Sequence, residues 1–427
     1  MKFSHTVTLV VATLLFAGPA VAKTPPASKV SLSGDIVTVG HYRNDSDFDP
    51  TERFDDLDGQ SDAQIATFFA PRLHIDAGEG IEVFYELELG WNAWSRNDPG
   101  APNQFLPAGA DGLALRHKQA WAQWNGADAT IRVGFQNYRD PTRLFLDHNS
   151  GLITANWGLG ATVIQAMAGQ LPDSTYEGVS IREDNFVTDS FVGGLGAVYG
   201  GDGLETQVMA YALTDERNIG RPLQLFTGVA AVSGKSGEFA YWLHGVGQTG
   251  TWAAQLGVKQ DLGRFSWGAN VFALSADDDF DGNDLSGAFL GSGKNASRSV
   301  FLTEDETRDR YDNLDERLGS TWGPFVTDRA GLMVAELALG LKVLDGWTAH
   351  LVGAHGQALN AVNALGEDAV GTEASLLQRI ALGERASIFL NGLMFAPGAA
   401  AAARVNDIDR TATATLYGVA AGMHARF

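Results

Sequence analysis

Apolar and polar residues alternate strictly along "IEVFYELELGW". Ile81, Val83, Tyr85, Leu87, Leu89 and Trp91 fall on one side; Glu82, Phe84, Glu86, Glu88 and Gly90 fall on the other. A period of two is that of a β-strand with one apolar and one polar face. The same alternation, weaker per segment, predicts strands over 30–43, 62–76, 80–92, 113–124, 128–138, 161–169, 175–182, 190–199, 204–214, 223–233, 237–248, 251–260, 264–275, 329–343, 347–358, 371–382, 386–396 and 412–427. That makes about 18 strands, with 16 as the alternative, and bounds good to two to four residues.

The connectors carry the architecture. Short turns ("AGEG", "NGAD", "QLPD", "GGDG", "SGKSGE", "DLGR", "LDG", "GER") follow every second strand. Every long connector belongs to the other set: 44–61, 93–112, 139–160, 276–328, 359–370 and 397–411. Such a rhythm suits an all-β, closed antiparallel transmembrane barrel with short periplasmic turns and long external loops. An even strand count puts both ends on the periplasmic side. The competing reading of any one strand is a soluble sandwich whose polar face meets solvent.

The N-terminal "MKFSHTVTLVVATLLFAGPAVA" has a lysine, an apolar run and Ala20-Val21-Ala22. It reads as a signal peptide, residues 1–22, cleaved near Ala22. Residues 23–29 form a short lead-in, and 30–427 form the barrel with its external loop 276–328. After the leader no run of 18 apolar residues exists, so no membrane helix is expected. The destination is the outer membrane of a Gram-negative bacterium. Cysteine is absent and glycine numbers 51, so an exported chain must be held by strand pairing instead of disulfides. The formal charge of −21 opposes nucleic-acid binding.

The last strand, "LYGVAAGMHARF", ends on a bare aromatic. Tyr417 and Phe427 are placed at opposite membrane interfaces, and the terminal Phe427 resembles the signal read by the barrel-assembly machinery. Outer-membrane lipid and lipopolysaccharide are the expected surroundings.

If the apolar set faces lipid, the other set lines a water-filled lumen. That set contains His41, Arg43, Arg72, His74, Glu82, Glu86, Glu88, Arg132, Gln136, Glu336, Lys342, Glu373, Arg379, His424 and Arg426. Arg116 and Lys118 join it, although "RHKQAW" alternates poorly. Turned toward the bilayer midplane, an Arg or Lys would cost about 2–4 kcal/mol. Rings of fixed charge in a pore select solutes, and arginine forks suit carboxylates. The same residues can equally be a salt-bridge network bracing the wall.

The stretch "LRHKQAWAQWNGADATIRVGFQNYRDPTRLFLD" resembles the alginate-export family of 18-stranded outer-membrane barrels. The matching positions are Arg116 with Ala120 and Trp121, then Arg132, Gly134 and Gln136, then Arg143; Phe135 stands where that family has a second arginine. The resemblance implies passage of uronate-type anionic polymers, and the missing arginine puts polymer specificity in question.

No catalytic pattern emerges. G-x-S-x-G and H-E-x-x-H are absent, and "GSGKNASRS" departs from a phosphate loop in its first glycine and at Asn295. An enzyme is not expected, nor a resident cofactor. "ADDDFDGND" places Asp277, Asp279 and Asp281 before Gly282 like the first half of a calcium loop, with Ala288 where the last ligand belongs. Asp45, Asp47 and Asp49 form a second acidic cluster. Both can hold Ca²⁺ or simply be solvated loop, and "PGAAAAAR" reads as a flexible or weakly helical loop tip. The expected function is a passive channel for small or polymeric anionic solutes, such as uronate sugars or organic acids. The alternatives are a barrel that sheathes or anchors a partner or export complex, and an acidic surface adhesin.

Overall fold

In the computed structural model, residues 28–43, 62–93, 115–170, 191–215, 223–248, 251–275, 331–360, 366–401 and 415–427 are described. The strands are β1 (Lys29–Arg43), β2 (Asp62–Gly78), β3 (Ile81–Ala93), β4 (Leu115–Asn125), β5 (Ala129–Arg139) and β6 (Asp147–Leu159). Next come β7 (Thr162–Gln170), β8 (Phe191–Gly201), β9 (Leu204–Asp215), β10 (Leu223–Ser236), β11 (Phe239–Gln248) and β12 (Thr251–Leu262). The last six are β13 (Phe265–Leu274), β14 (Leu332–Leu344), β15 (Trp347–Gln357), β16 (Ala369–Ala381), β17 (Ala386–Pro397) and β18 (Leu416–Arg426). Each strand pairs antiparallel with the next, and β1 pairs with β18, closing an 18-stranded barrel. Closure leaves no unpaired edge, which a strand in hydrocarbon requires.

One predicted connector is corrected. The span 139–160 holds a whole strand, β6, and only residues 140–146 connect β5 to it. Outward Ile153, Ala155 and Trp157 alternate normally, but near the loop the outward residue is Gly151 and the inward one is the buried Leu152. That reversal hides the period of two. The tight turn after β6 is at residues 160–161, so the rhythm of short and long connections is preserved without "QLPD" as a short turn. The strand predicted over 175–182 lies outside the described residues, as do the leader 1–22 and the loop 276–328.

The outer surface carries the large apolar side chains. Tyr417 is 52% exposed and Phe427 43% exposed, both outward on β18 and its end. At about 3.3 Å rise and a tilt of about 40°, the ten steps between them span about 25 Å, the height of the apolar band of an outer-membrane barrel. Phe427 also finishes the seam. Its N–H donates to the Gly34 carbonyl at 3.1 Å and its carbonyl accepts from the Gly34 N–H at 3.2 Å. The ring lies over Gly34 and 5.8 Å from Phe69. A Cβ on Gly34 would sit 2.5 Å from Phe427 Cζ and 2.7 Å from the Ala70 carbonyl oxygen, so this close approach needs glycine.

Candidate functional site

The inner wall from β18 through β1 to β4 carries one connected polar chain. His424 Nε2 is 2.6 Å from Asp35 Oδ1, and Asp35 Oδ2 pairs with Arg72 Nη2 at 2.6 Å. Arg72 Nε donates to Glu86 Oε1 at 2.9 Å. Gln119 Nε2 donates to Glu86 Oε2 at 2.9 Å, and Trp121 Nε1 donates to Gln119 Oε1 at 3.2 Å. Asp35, Glu86 and His424 are buried. Arg72 is therefore clamped between two carboxylates across three strands, the geometry of a brace. Beside this girdle Val37, Val39, Phe389 and Ala420 form a small apolar cluster.

A second chain has a different ending. Glu82 Oε2 meets His74 Nε2 at 3.1 Å, and Glu82 Oε1 accepts from Asn125 Nδ2 at 2.8 Å. Gln123 Nε2 donates to Asn125 Oδ1 at 2.8 Å, and Arg132 Nε donates to Gln123 Oε1 at 2.8 Å. The Arg132 guanidinium lies 4.0 Å from the Trp121 ring centroid, and Trp121 stacks on Phe84 with centroids 5.0 Å apart and planes at 17°. Stacking and the Nε bond fix the guanidinium. Among the described residues nothing bonds its two terminal amino groups. A planar fork held still with both prongs available is suited to a carboxylate.

Higher on the same wall, Lys118 is the extra residue of a β-bulge between β3 and β4. It pairs with Glu88 at 2.9 Å and lies 5.3 Å from the Phe68 ring centroid. The bulge is why "RHKQAW" does not alternate. Arg116 pairs through its backbone with Glu88, and Arg43 with Asp62 and Gly418; their side chains lie outside the described residues. Gln136 is buried and donates to the Leu152 carbonyl at 2.9 Å, so it ties β5 to β6. Glu336 and Glu373 are buried and inward, and Ser375 donates to Glu373 at 2.5 Å.

The wall from β6 to β13 carries an apolar cluster interleaved with buried polar residues such as Thr227, Gln248, Gln255 and Asn270. Leu152, Met167, Val192, Met209, Tyr211, Leu213, Val229, Val246 and Phe272 point inward and form one cluster with Leu144, Phe145 and Leu146. Residues 140–146 therefore fold into the barrel instead of standing above it. The sequence offers a reason: "RLFL" puts three large apolar residues in a row where an external loop would be polar. Asp140 organises the turn. Its Oδ1 accepts from the Thr142 N–H at 2.8 Å and the Thr142 hydroxyl at 2.5 Å. Its Oδ2 accepts from the N–H groups of Phe145 at 3.0 Å and Leu146 at 2.6 Å. Arg143 is carried on this turn, within electrostatic reach of His244 on β11. Near it, His244 and Gln255 interact side chain to side chain, although His244 Nδ1 and Gln255 Oε1 make no hydrogen bond of good geometry among the described residues. Just after β17, Ala400 and Ala401 lie in a helical turn and are buried in one cluster with Phe395 and Leu416.

The structure thus brings Arg72 together with Glu86, and Arg132 near Glu82, but it puts Arg143 beside a strand six positions beyond β5. Asp277, Asp279 and Asp281, and the cluster at Asp45, Asp47 and Asp49, lie outside the described residues. Asp35, Gln119, Gln123, Asn125 and Asp140 were not singled out from sequence. Asp35 shares the phase of His41 and Arg43, which was the available signal; Asp140 is one acid among 51 and had none.

No protein-family model matches the chain, and no curated protein does. Solved structures do. The chain is similar to OpdL of Pseudomonas aeruginosa, with a TM-score of 0.57 and 11% identity, covering 93% of this chain and 98% of that one. OpdQ of the same organism gives 0.55 at 11% identity, with 93% and 98% covered. OpdK of the same organism, solved with vanillate, gives 0.53 at 10% identity, again over 93% and 98%. At such identities the likeness is one of fold. The fold is that of the outer-membrane porins.

Proposed function

We propose that the protein is a passive outer-membrane channel for small anionic solutes, carboxylates above all. The observation that carries this reading is Arg132. Its guanidinium is immobilised on Trp121 and by Gln123, and its terminal amino groups are left for a solute. Glu82, Gln123 and Asn125 surround it with acceptors and donors, which suits a hydroxylated acid such as a uronate better than a bare inorganic anion. A neighbour of the same fold was solved with vanillate, itself a carboxylate, in agreement with this class. The barrel would sit with its outward apolar belt against lipid and lipopolysaccharide. Solute would move down its gradient without nucleotide.

The test is reversal potential across a planar bilayer in a salt gradient. The wild type should favour anions, and Arg132→Glu should move the potential toward cations and weaken block by galacturonate. An unchanged potential would make Arg132 a brace like Arg72 and sink the reading.

A further inference from the structure

Arg143 sits on a turn packed inside the barrel, and the shape of that turn is set by a buried residue, Asp140. Asp140 is buried, and its carboxylate is saturated by four donors from Thr142, Phe145 and Leu146. The backbone closes the same ring: the Asp140 N–H donates to the Leu146 carbonyl at 2.8 Å, and the Arg143 N–H to the Asp140 carbonyl at 3.1 Å. Thr142 Oγ1 accepts in turn from the Leu144 N–H at 3.1 Å. Inside this ring Arg143 has φ of 59°. A non-glycine residue adopts that left-handed conformation only when its surroundings impose it.

Two sets of contacts hold the turn, and they do different things. Phe145, 5.1 Å from Tyr211 between ring centroids, and its neighbours Leu144 and Leu146 fix how deep the turn sits. Tyr138 and Tyr211, joined by their hydroxyls at 2.9 Å, hold the platform beneath. Apolar packing is non-directional and does not decide which way Arg143 leaves the turn. The hydrogen bonds to Asp140 are directional and do.

We propose that Asp140 is a positioning residue for selectivity, clamping the inward-packed turn 140–146 and so setting the direction in which the Arg143 charge leaves it. This rests on the channel reading above. Asparagine at 140 keeps the size but has one acceptor oxygen where two are used, so one of the two donor pairs, either the Thr142 N–H and hydroxyl or the Phe145 and Leu146 N–H groups, loses its acceptor.

The experiment compares reversal potentials of the full chain refolded into bilayers: wild type, Asp140→Asn, Arg143→Gln and the double variant. Asp140→Asn should lower the anion-to-cation permeability ratio by a factor of about 2–5, as should Arg143→Gln, if the fixed charge carried by this turn sets selection. The double variant should be no lower than Arg143→Gln alone, since Asp140 acts only through Arg143. A wild-type ratio in Asp140→Asn, or strictly additive effects, would overturn the proposal. If Asp140→Asn fails to give the heat-modifiable folded band, Thr142→Ala replaces it. That change removes two bonds of the ring but leaves the carboxylate, and it should shift the ratio the same way by less; no shift would overturn the proposal. A wild type without anion preference would instead overturn the channel reading itself.

Discussion

Two arcs of the same barrel obey different rules inside. From β1 to β5 the inner face carries linked charges beside a small apolar cluster at Val37 and Val39, and among the described residues Arg72, His74 and Lys118 each meet a carboxylate within one or two strands. From β6 to β13 the inner face carries a large apolar cluster, onto which Leu144, Phe145 and Leu146 have folded, with buried polar residues such as Gln248, Gln255 and Asn270 beside it. The outer faces do not differ in kind; both present large apolar side chains. A barrel interior is therefore not one solvent. Where a loop packs inside, large apolar side chains meet it; elsewhere the inward side chains are linked to one another by ion pairs and hydrogen bonds.

Within the polar arc two arginines repeat the lesson at smaller scale. Arg72 has its fork filled by Asp35 and Glu86; Arg132 spends only its Nε on Gln123 and rests on Trp121. The first is bracing and the second is available. The residue type is the same, and neighbours decide the role.

The sharpest way to break the contrast between arcs is Phe145→Ala. Emptying a fully buried aromatic should cost about 3–5 kcal/mol, read from the unfolding midpoint in detergent, and should raise single-channel conductance. A cost under about 1 kcal/mol would mean that no core exists there.

Next comes Asp35→Asn in the polar arc. It leaves Arg72 and His424 short of a partner, and the loss should be roughly 3 kcal/mol, the low end for a broken buried pair because Arg72 keeps 30% of its side chain exposed. Selectivity should change little. A stable variant with altered reversal potential would exchange the roles given to Arg72 and Arg132.

Arg132→Gln should do the opposite. The lost stacking on Trp121 costs about 0.5–1 kcal/mol, while preference for anions falls. Arg72→Gln is the matched control, with the larger loss of stability and the smaller shift in reversal potential.

The smallest effect is expected from Lys118→Met. Its pair with Glu88 is 35% exposed on the lysine side, and removing it should cost no more than about 1 kcal/mol. A larger loss would show the bulge at Lys118 to be held by that pair.

Sequence patterning was sufficient for the strand at "IEVFYELELGW", for the final strand, and for the shared inward phase of Arg72, Glu82, Glu86 and Arg132. It also flagged "RHKQAW" as irregular, where the structure has a bulge. It failed at β6, where Leu152 is apolar and inward, and at 140–146, read as part of an external connector. Both failures have one cause. A period of two distinguishes lipid from water, and neither rule applies to a face covered by another part of the same chain.

Side-chain alternation and turn spacing are local, so the backbone's strand count, its closure and which residues face outward were already legible along the chain. Which inward residues meet water, which arginine is spent and which is open, and that Asp140 governs where Arg143 points all depend on contacts between strands and a loop that only closure brings together. Those contacts join residues as far apart as Asp35 and His424, and no local period carries that information.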